Sequence, residues 1–436
     1  MVVFCLSAML QGGTWNMYGP ISATAEDAFD WRDSDIALLT AWGPIAYLIS
    51  TFPFAWLLHA KGVRVACLTA SFLALAGACV RCSTSTPPYV TWTSNIGQLL
   101  NGLAGPISFG STPVISALWF PADQRTMATA LITVLKSIGS TVTFVLGPHL
   151  VPERKSCSDN TTYIHNSTAN ESSATCASNQ TRIAAERRDI LQYMYYDLAF
   201  VGFAFLLMLV YFPAKPKLPP TVSASIERLD FRAGIQALMK NVKFWLICLT
   251  FGVSQGVFFS WLGLLDIILK PHGIDENEAG WLGFYSSIAG CLASLIFAKF
   301  SDVFSRHMRL FLLFLYVSAS GSCAWFLLLV TGVIPSSTVQ LYISIIMGTM
   351  FLTSTMPLFF EMACEAAFPV PEGTTNLVLT LSSNVGGLVF LLIQMIPGIG
   401  TAWASWCMIG GIVSCIPILA FLKERYNRLE VDQSIN

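Results

Sequence analysis

Apolar runs of membrane-crossing length follow one another along this chain, separated by short polar breaks. About twelve such stretches are predicted, each near the roughly 20 mostly apolar residues that a bilayer requires. They cover 1–22, 36–58, 65–83, 91–119, 126–151 and 191–213, then 243–270, 278–300, 308–333, 338–365, 374–398 and 402–422. The two longest polar stretches are 152–190, between the fifth and sixth spans, and 214–240, between the sixth and seventh. The predicted fold is an all-α membrane protein. Residues 1–213 form one six-helix bundle with a long loop at 152–190, 214–240 a linker, and 241–436 a second bundle with a short tail.

The halves echo each other. Gln11-Gly12-Gly13-Thr14-Trp15-Asn16-Met17-Tyr18-Gly19 returns as Gln255-Gly256-Val257-Phe258-Phe259-Ser260-Trp261-Leu262-Gly263. Phe120-Pro121 before Asp123 and Arg125 likewise returns as Phe368-Pro369 before Glu372, in the same order. Duplicated parallel halves around a central site suggest alternating-access transport.

Composition agrees: 54% of the 436 residues are hydrophobic and 11% charged, with mean hydropathy +0.62. A soluble domain carries about 25% charged residues. Residues 1–22 lack the basic stretch and cleavage site of a signal peptide, so they read as a span. With the N-terminus cytosolic, 15 of the 24 basic residues fall on the cytosolic side, among them Lys61, Arg64, Arg125, Lys240, Arg309 and Arg428. The 152–190 loop then faces a lumen or the exterior, and it carries four N-glycosylation sequons, at Asn160, Asn166, Asn170 and Asn179. Cys157 and Cys176 bracket most of that loop and are expected to form a disulfide in an oxidising compartment. Cys79-Val80-Arg81-Cys82 has CxxC spacing but no companion pair, so neither a metal nor a cofactor is expected. The five histidines lie on separate loops and span ends, which argues against a membrane enzyme. A net charge of −1 and the lack of a basic domain argue against nucleic acid as a partner.

Twelve spans joined by a polar link resemble the major facilitator superfamily. Its loop signature between spans two and three survives as Lys61-Gly62-Val63-Arg64, although His59 stands where the superfamily usually has an aspartate that latches the cytosolic gate. More specifically, the chain resembles solute carrier family 49 at Trp42-Gly43-Pro44-Ile45, at Gly97-Gln98-Leu99-Leu100-Asn101-Gly102-Leu103-Ala104-Gly105-Pro106, at Asp266-Ile267-Ile268-Leu269, at Ala279-Gly280-Trp281-Leu282-Gly283-Phe284, and from Phe360-Glu361 through Pro369-Val370-Pro371-Glu372-Gly373. The Asn-Gly-Leu-Ala-Gly-Pro and Pro-Val-Pro-Glu-Gly runs resemble its disrupted-in-renal-carcinoma-2 branch, which implies a lysosomal, proton-dependent carrier of pyridoxine. The viral-receptor branch implies instead choline and ethanolamine, or haem, at the plasma membrane. A non-transporting receptor is the alternative from another class.

The resemblance turns spans one and seven toward a central cavity, making Trp15 and Phe259 a candidate aromatic pair for a flat ring or a quaternary ammonium. Phe259 replaces the family's tyrosine. Gln11, Asn16, Asn101, Ser137, Gln255 and Asn384 are candidate polar contacts to substrate, or amides that tie helices together. Charges within spans are costly and mark function. Asp266 is a candidate proton carrier or a cap at the lumenal side. Glu361 and Glu365 share a helix face and are expected to clamp basic residues at a cytosolic gate. Lys136 departs from the family's small or amide residue, as a partner for a carboxylate or a change in the substrate charge preferred. The expected partners are a small pyridoxine-like or quaternary-amine substrate, protons and the lipid bilayer.

Overall fold

The computed structural model describes residues 1–152, 154, 170–213, 229–269, 274, 276–303, 307–335, 337–394, 396, 402–423, 426–428 and 430. All regular structure among them is helical. Span one is Val2–Trp15, broken at Asn16, resumed by a 3-10 turn at Gly19–Ile21 with Pro20 inside it, and continued as Ser22–Phe29. The continuation lies beyond the hydropathic boundary because its start is polar. Phe29 and Trp31 still bury against each other and Tyr18, which anchors it.

Spans two and three form one hydrogen-bonded run, Asp33–Arg81, bent where Gly62 adopts φ +78°. A side chain at that φ is strained, so the glycine of the Lys61-Gly62-Val63-Arg64 loop makes the bend. Span four is Tyr89–Trp119, span five Arg125–Leu150 and span six Asn170–Tyr211. Span six therefore begins well inside the expected 152–190 loop. The amphipathic helix Phe231–Lys240 occupies the end of the linker. Span seven is Val242–Leu262 with a short sequel, Leu265–Leu269. Glu276–Val303, Met308–Val330, Thr338–Ala367, Glu372–Gln394 and Ala402–Phe421 are spans eight to twelve.

Among the described residues nine helices are long and apolar enough to cross a bilayer. The run through Gly62 holds two crossings. Span one is too short as a single helix, and Gln98, Asn101, Ser108, Ser111 and Thr112 dilute span four. The described helices are consistent with the twelve spans of the hydropathic pattern.

The two halves are built alike. Span one packs on spans four, five and six; span seven packs on spans ten, eleven and twelve. The halves meet where span eleven crosses spans two and four and where span five crosses spans eight and ten. That seam is closed at the end carrying the basic loops. A Cβ at Gly110 would stand 2.6 Å from Leu377 Cγ, and the Gly373 position abuts Leu58 and Val114. The linker helix covers the same end: Gly234 faces Val370 and Pro371, and Phe231 lies 6.5 Å from the His59 ring.

Candidate functional site

The Gln-Gly repeat has a common structural role in both halves. The Gln11 amide donates to the backbone oxygen of Asn101 at 3.4 Å, and Asn101 returns a bond to the backbone oxygen of Gln11 at 3.3 Å, tying span one to span four. The Gln255 amide donates to Leu352 O at 3.2 Å and Thr355 Oγ1 at 2.9 Å, tying span seven to span ten. The following glycines admit the next helix. A Cβ at Gly12 would lie 2.7 Å from the Lys136 carbonyl in span five, and one at Gly256 would lie 2.5 Å from the Ser383 carbonyl in span eleven. Gln11, Asn101 and Gln255 therefore hold helices together. Their buried carbonyl oxygens Oε1, Oδ1 and Oε1 meet no donor among the described residues.

Trp15 and Phe259 lie four residues beyond these glutamines and so share their inward helix face. The Trp15 indole N–H donates to Thr40 O at 3.2 Å, fixing the ring beside Gly43 in span two. Phe259, at the corresponding position of span seven, remains 46% exposed. Asn16 is committed elsewhere: its amide donates to Ser140 O at 3.0 Å and Thr143 Oγ1 at 3.1 Å, holding the break in span one against span five. Ser137 donates to Thr133 O at 3.1 Å and Asn384 to Thr380 O at 2.9 Å, each within its own helix. Both are half-buried.

Glu361 and Glu365 do converge on a basic residue. It is Arg428, beyond span twelve, 2% exposed. Its backbone N–H and Nε donate to the Glu365 carboxylate at 2.9 and 3.1 Å, its Nη2 pairs with Glu361, and Glu372 lies 3.8 Å from Nη1. Burial alone would lower the affinity of the guanidinium for its proton, but Glu361, Glu365 and Glu372 hold it well above its ordinary range. Thr129 of span five donates to the other Glu361 oxygen at 3.2 Å, so the cluster also joins the two halves.

A second buried ion pair escaped sequence reasoning. Arg81 at the end of span three is fully buried, and its Nη2 lies 2.7 Å from Asp197 of span six. The other Asp197 oxygen accepts from Thr14, the residue before Trp15, at 2.7 Å. Among the described residues, Arg81 Nε and Nη1 have no hydrogen-bond partner. The signal was present: Asp197 is a lone carboxylate inside the apolar 191–213 stretch, and Arg81 closes an apolar run.

Lys136, halfway along span five, meets no carboxylate among the described residues; its Nζ lies 3.3 Å from the centroid of the Phe109 ring in span four. Asp266 sits on Leu265–Leu269, its side chain outside what is described, as are those of Asn170 and Cys176. Asn160, Asn166 and Cys157 lie outside the described residues altogether, while Asn179 lies on the helical extension of span six. No cluster of metal-ligating side chains occurs among the described residues.

The structure superposes on that of FucP, a major facilitator superfamily transporter, with a TM-score of 0.68 at 15% identity, covering 97% of this chain and 98% of that one, which supports the fold. Residues 4–393 match the family model described as Major Facilitator Superfamily. The solute carrier family 49 member 4 homolog of Xenopus tropicalis is 36% identical over 436 residues, covering 99% of this chain and 92% of that protein. The choline/ethanolamine transporter FLVCR1 of Mus musculus is 28% identical over 402 residues, covering 90% and 68%. With the fold, the family model and a near full-length relative in agreement, this chain belongs to the major facilitator superfamily of transporters and, within it, to solute carrier family 49.

Proposed function

We propose that this transporter carries pyridoxine, or a similar small ring-bearing metabolite, across the lysosomal membrane by alternating access coupled to protons. The observation that carries the reading is the aromatic pair Trp15 and Phe259, one from each half, on the inward faces of symmetry-related helices with Phe259 left open. A flat ring between them would be released or engaged as the halves rock. Glu361 and Glu365 gate the cytosolic end through Arg428 and Thr129. Asp197 joins Asp266 as a candidate for proton coupling, as a carboxylate inside span six that bonds to Arg81 of span three and Thr14 of span one.

Choline or ethanolamine transport at the plasma membrane is the second reading. The relative named for those substrates favours it, as does the cation–π capacity of Trp15, worth about 0.5–2 kcal/mol. The cation Lys136 beside the same cleft opposes it.

Purified protein in liposomes, given labelled pyridoxine and labelled choline with and without a proton gradient, separates the readings. Gradient-driven pyridoxine uptake that is lost in Trp15→Ala supports the first. Choline uptake indifferent to pH supports the second, and ligand binding without counterflow would identify a receptor.

A further inference from the structure

A lysine at mid-helix in a membrane is costly and persists where it finds water, an anion or a function. Lys136 has one side-chain partner among the described residues, the face of Phe109. That contact offers no hydrogen-bond acceptor to the three ammonium protons. The carboxylates that approach the centre of the fold are engaged elsewhere: Asp197 by Arg81, and Glu361, Glu365 and Glu372 by Arg428. Glu361 is also about 10 Å away along span five, by the helical rise from Thr129 to Lys136.

Lys136 shares a wall with Trp15. Trp15 rests on Gly43; Tyr47, one turn further along span two, lies 6.2 Å from the Phe109 ring that carries the ammonium. Between them a Cβ at Gly105 would stand 3.8 Å from Tyr47 and 3.9 Å from Gln11. Phe109 also touches the core of the opposite half, so this wall ends where the halves meet.

We propose that Lys136 is an anion-binding subsite of the transport cavity, which accepts a carboxylate or phosphate carried by a planar ring held at Trp15. The substrate class thereby extends to acidic ring compounds. This deepens the reading above, since it rests on Trp15 as the ring platform, and it adds to the neutral vitamin an acid of similar shape.

The test compares nicotinate with nicotinamide, two pyridines of one shape that differ in a carboxylate and a carboxamide. Binding to the full chain in detergent is followed by the shift in its thermal unfolding midpoint, beside competition against labelled pyridoxine uptake in liposomes. The expected result is at least a tenfold preference for nicotinate, retained in Lys136→Arg and collapsing to within twofold in Lys136→Gln. Equal affinities in the wild type overturn the proposal without any variant, and so does a preference that survives Lys136→Gln. Nicotinate preference that depends on Lys136, in a protein that moves no pyridoxine, sustains the subsite and removes the pyridoxine reading. Pyridoxine transport with no anion preference does the reverse.

Discussion

The two buried arginines differ in what surrounds them and in what would have to change to release them. Arg428 is held by three carboxylates, and one of those, Glu361, also accepts from Thr129 in the other half. Arg81 has one carboxylate, Asp197, and both residues belong to the same half. Rocking the halves apart at the cytosolic end must break the Thr129 bond to Glu361, whereas it leaves Arg81 and Asp197 together. Only a change of charge or a local shift of span one, through Thr14, releases the second pair. One cluster therefore ties the two halves together, as the proposed gate requires, while the other stays within one half as the proposed coupling site.

The largest effect is expected from Arg428→Ala, which leaves three carboxylates facing one another in a buried space. Removing one partner of a buried ion pair costs about 3–5 kcal/mol. The variant should lose most of its folded yield, read by size exclusion in detergent; a yield equal to wild type would mean that the cluster is hydrated and not structural. Next, Asp197→Asn removes the charge with little change of shape. Substrate counterflow is expected to persist while gradient-driven accumulation disappears, and accumulation at the wild-type level would erase the proposed division of labour.

Thr129→Val sharpens the gating side. It deletes one hydrogen bond to a charged group, worth about 1.5–3 kcal/mol, while Arg428 keeps Glu361 paired. Cysteines placed at the seam around Leu58 and Gly110 should react faster with a cytosolic thiol reagent in this variant, and an unchanged rate would place the gate elsewhere. The smallest effect belongs to Gln11→Ala and Gln255→Ala, each removing inter-helix amide bonds at about 0.6 kcal/mol apiece. Their thermal midpoints should fall modestly and alike, with substrate preference unaltered; a changed preference in one of them would return that glutamine to the substrate site.

Much of this molecule was legible in the chain because its signals are local. Apolar runs of about 20 residues mark spans whatever they pack against, and the Gln-Gly echo marks the duplicated halves. Glu361 and Glu365 share a helix face in the sequence, and in the structure both carboxylates pair with Arg428. Less legible was the purpose of the echo itself. Gln11, Gln255 and Asn101 read in the sequence as substrate contacts or as ties between helices, and only the structure shows the bonds that tie them to spans four, ten and one. Asn16 moved the same way, to the seam of spans one and five.

Sequence by itself marked the apolar helices and the Gln-Gly echo, because hydropathy depends on neighbours along the chain, and its motifs carried the resemblance to the family. Tertiary structure alone decided which charges meet. Arg81 and Asp197 are 116 positions apart, and Arg428 and Glu361 are 67 apart. No periodicity links such positions; the packing of spans three on six, and of the chain beyond span twelve against spans ten and eleven, brings them together. For Lys136 it decided the opposite, by setting a cation against an aromatic ring with every described carboxylate near the core of the fold already taken.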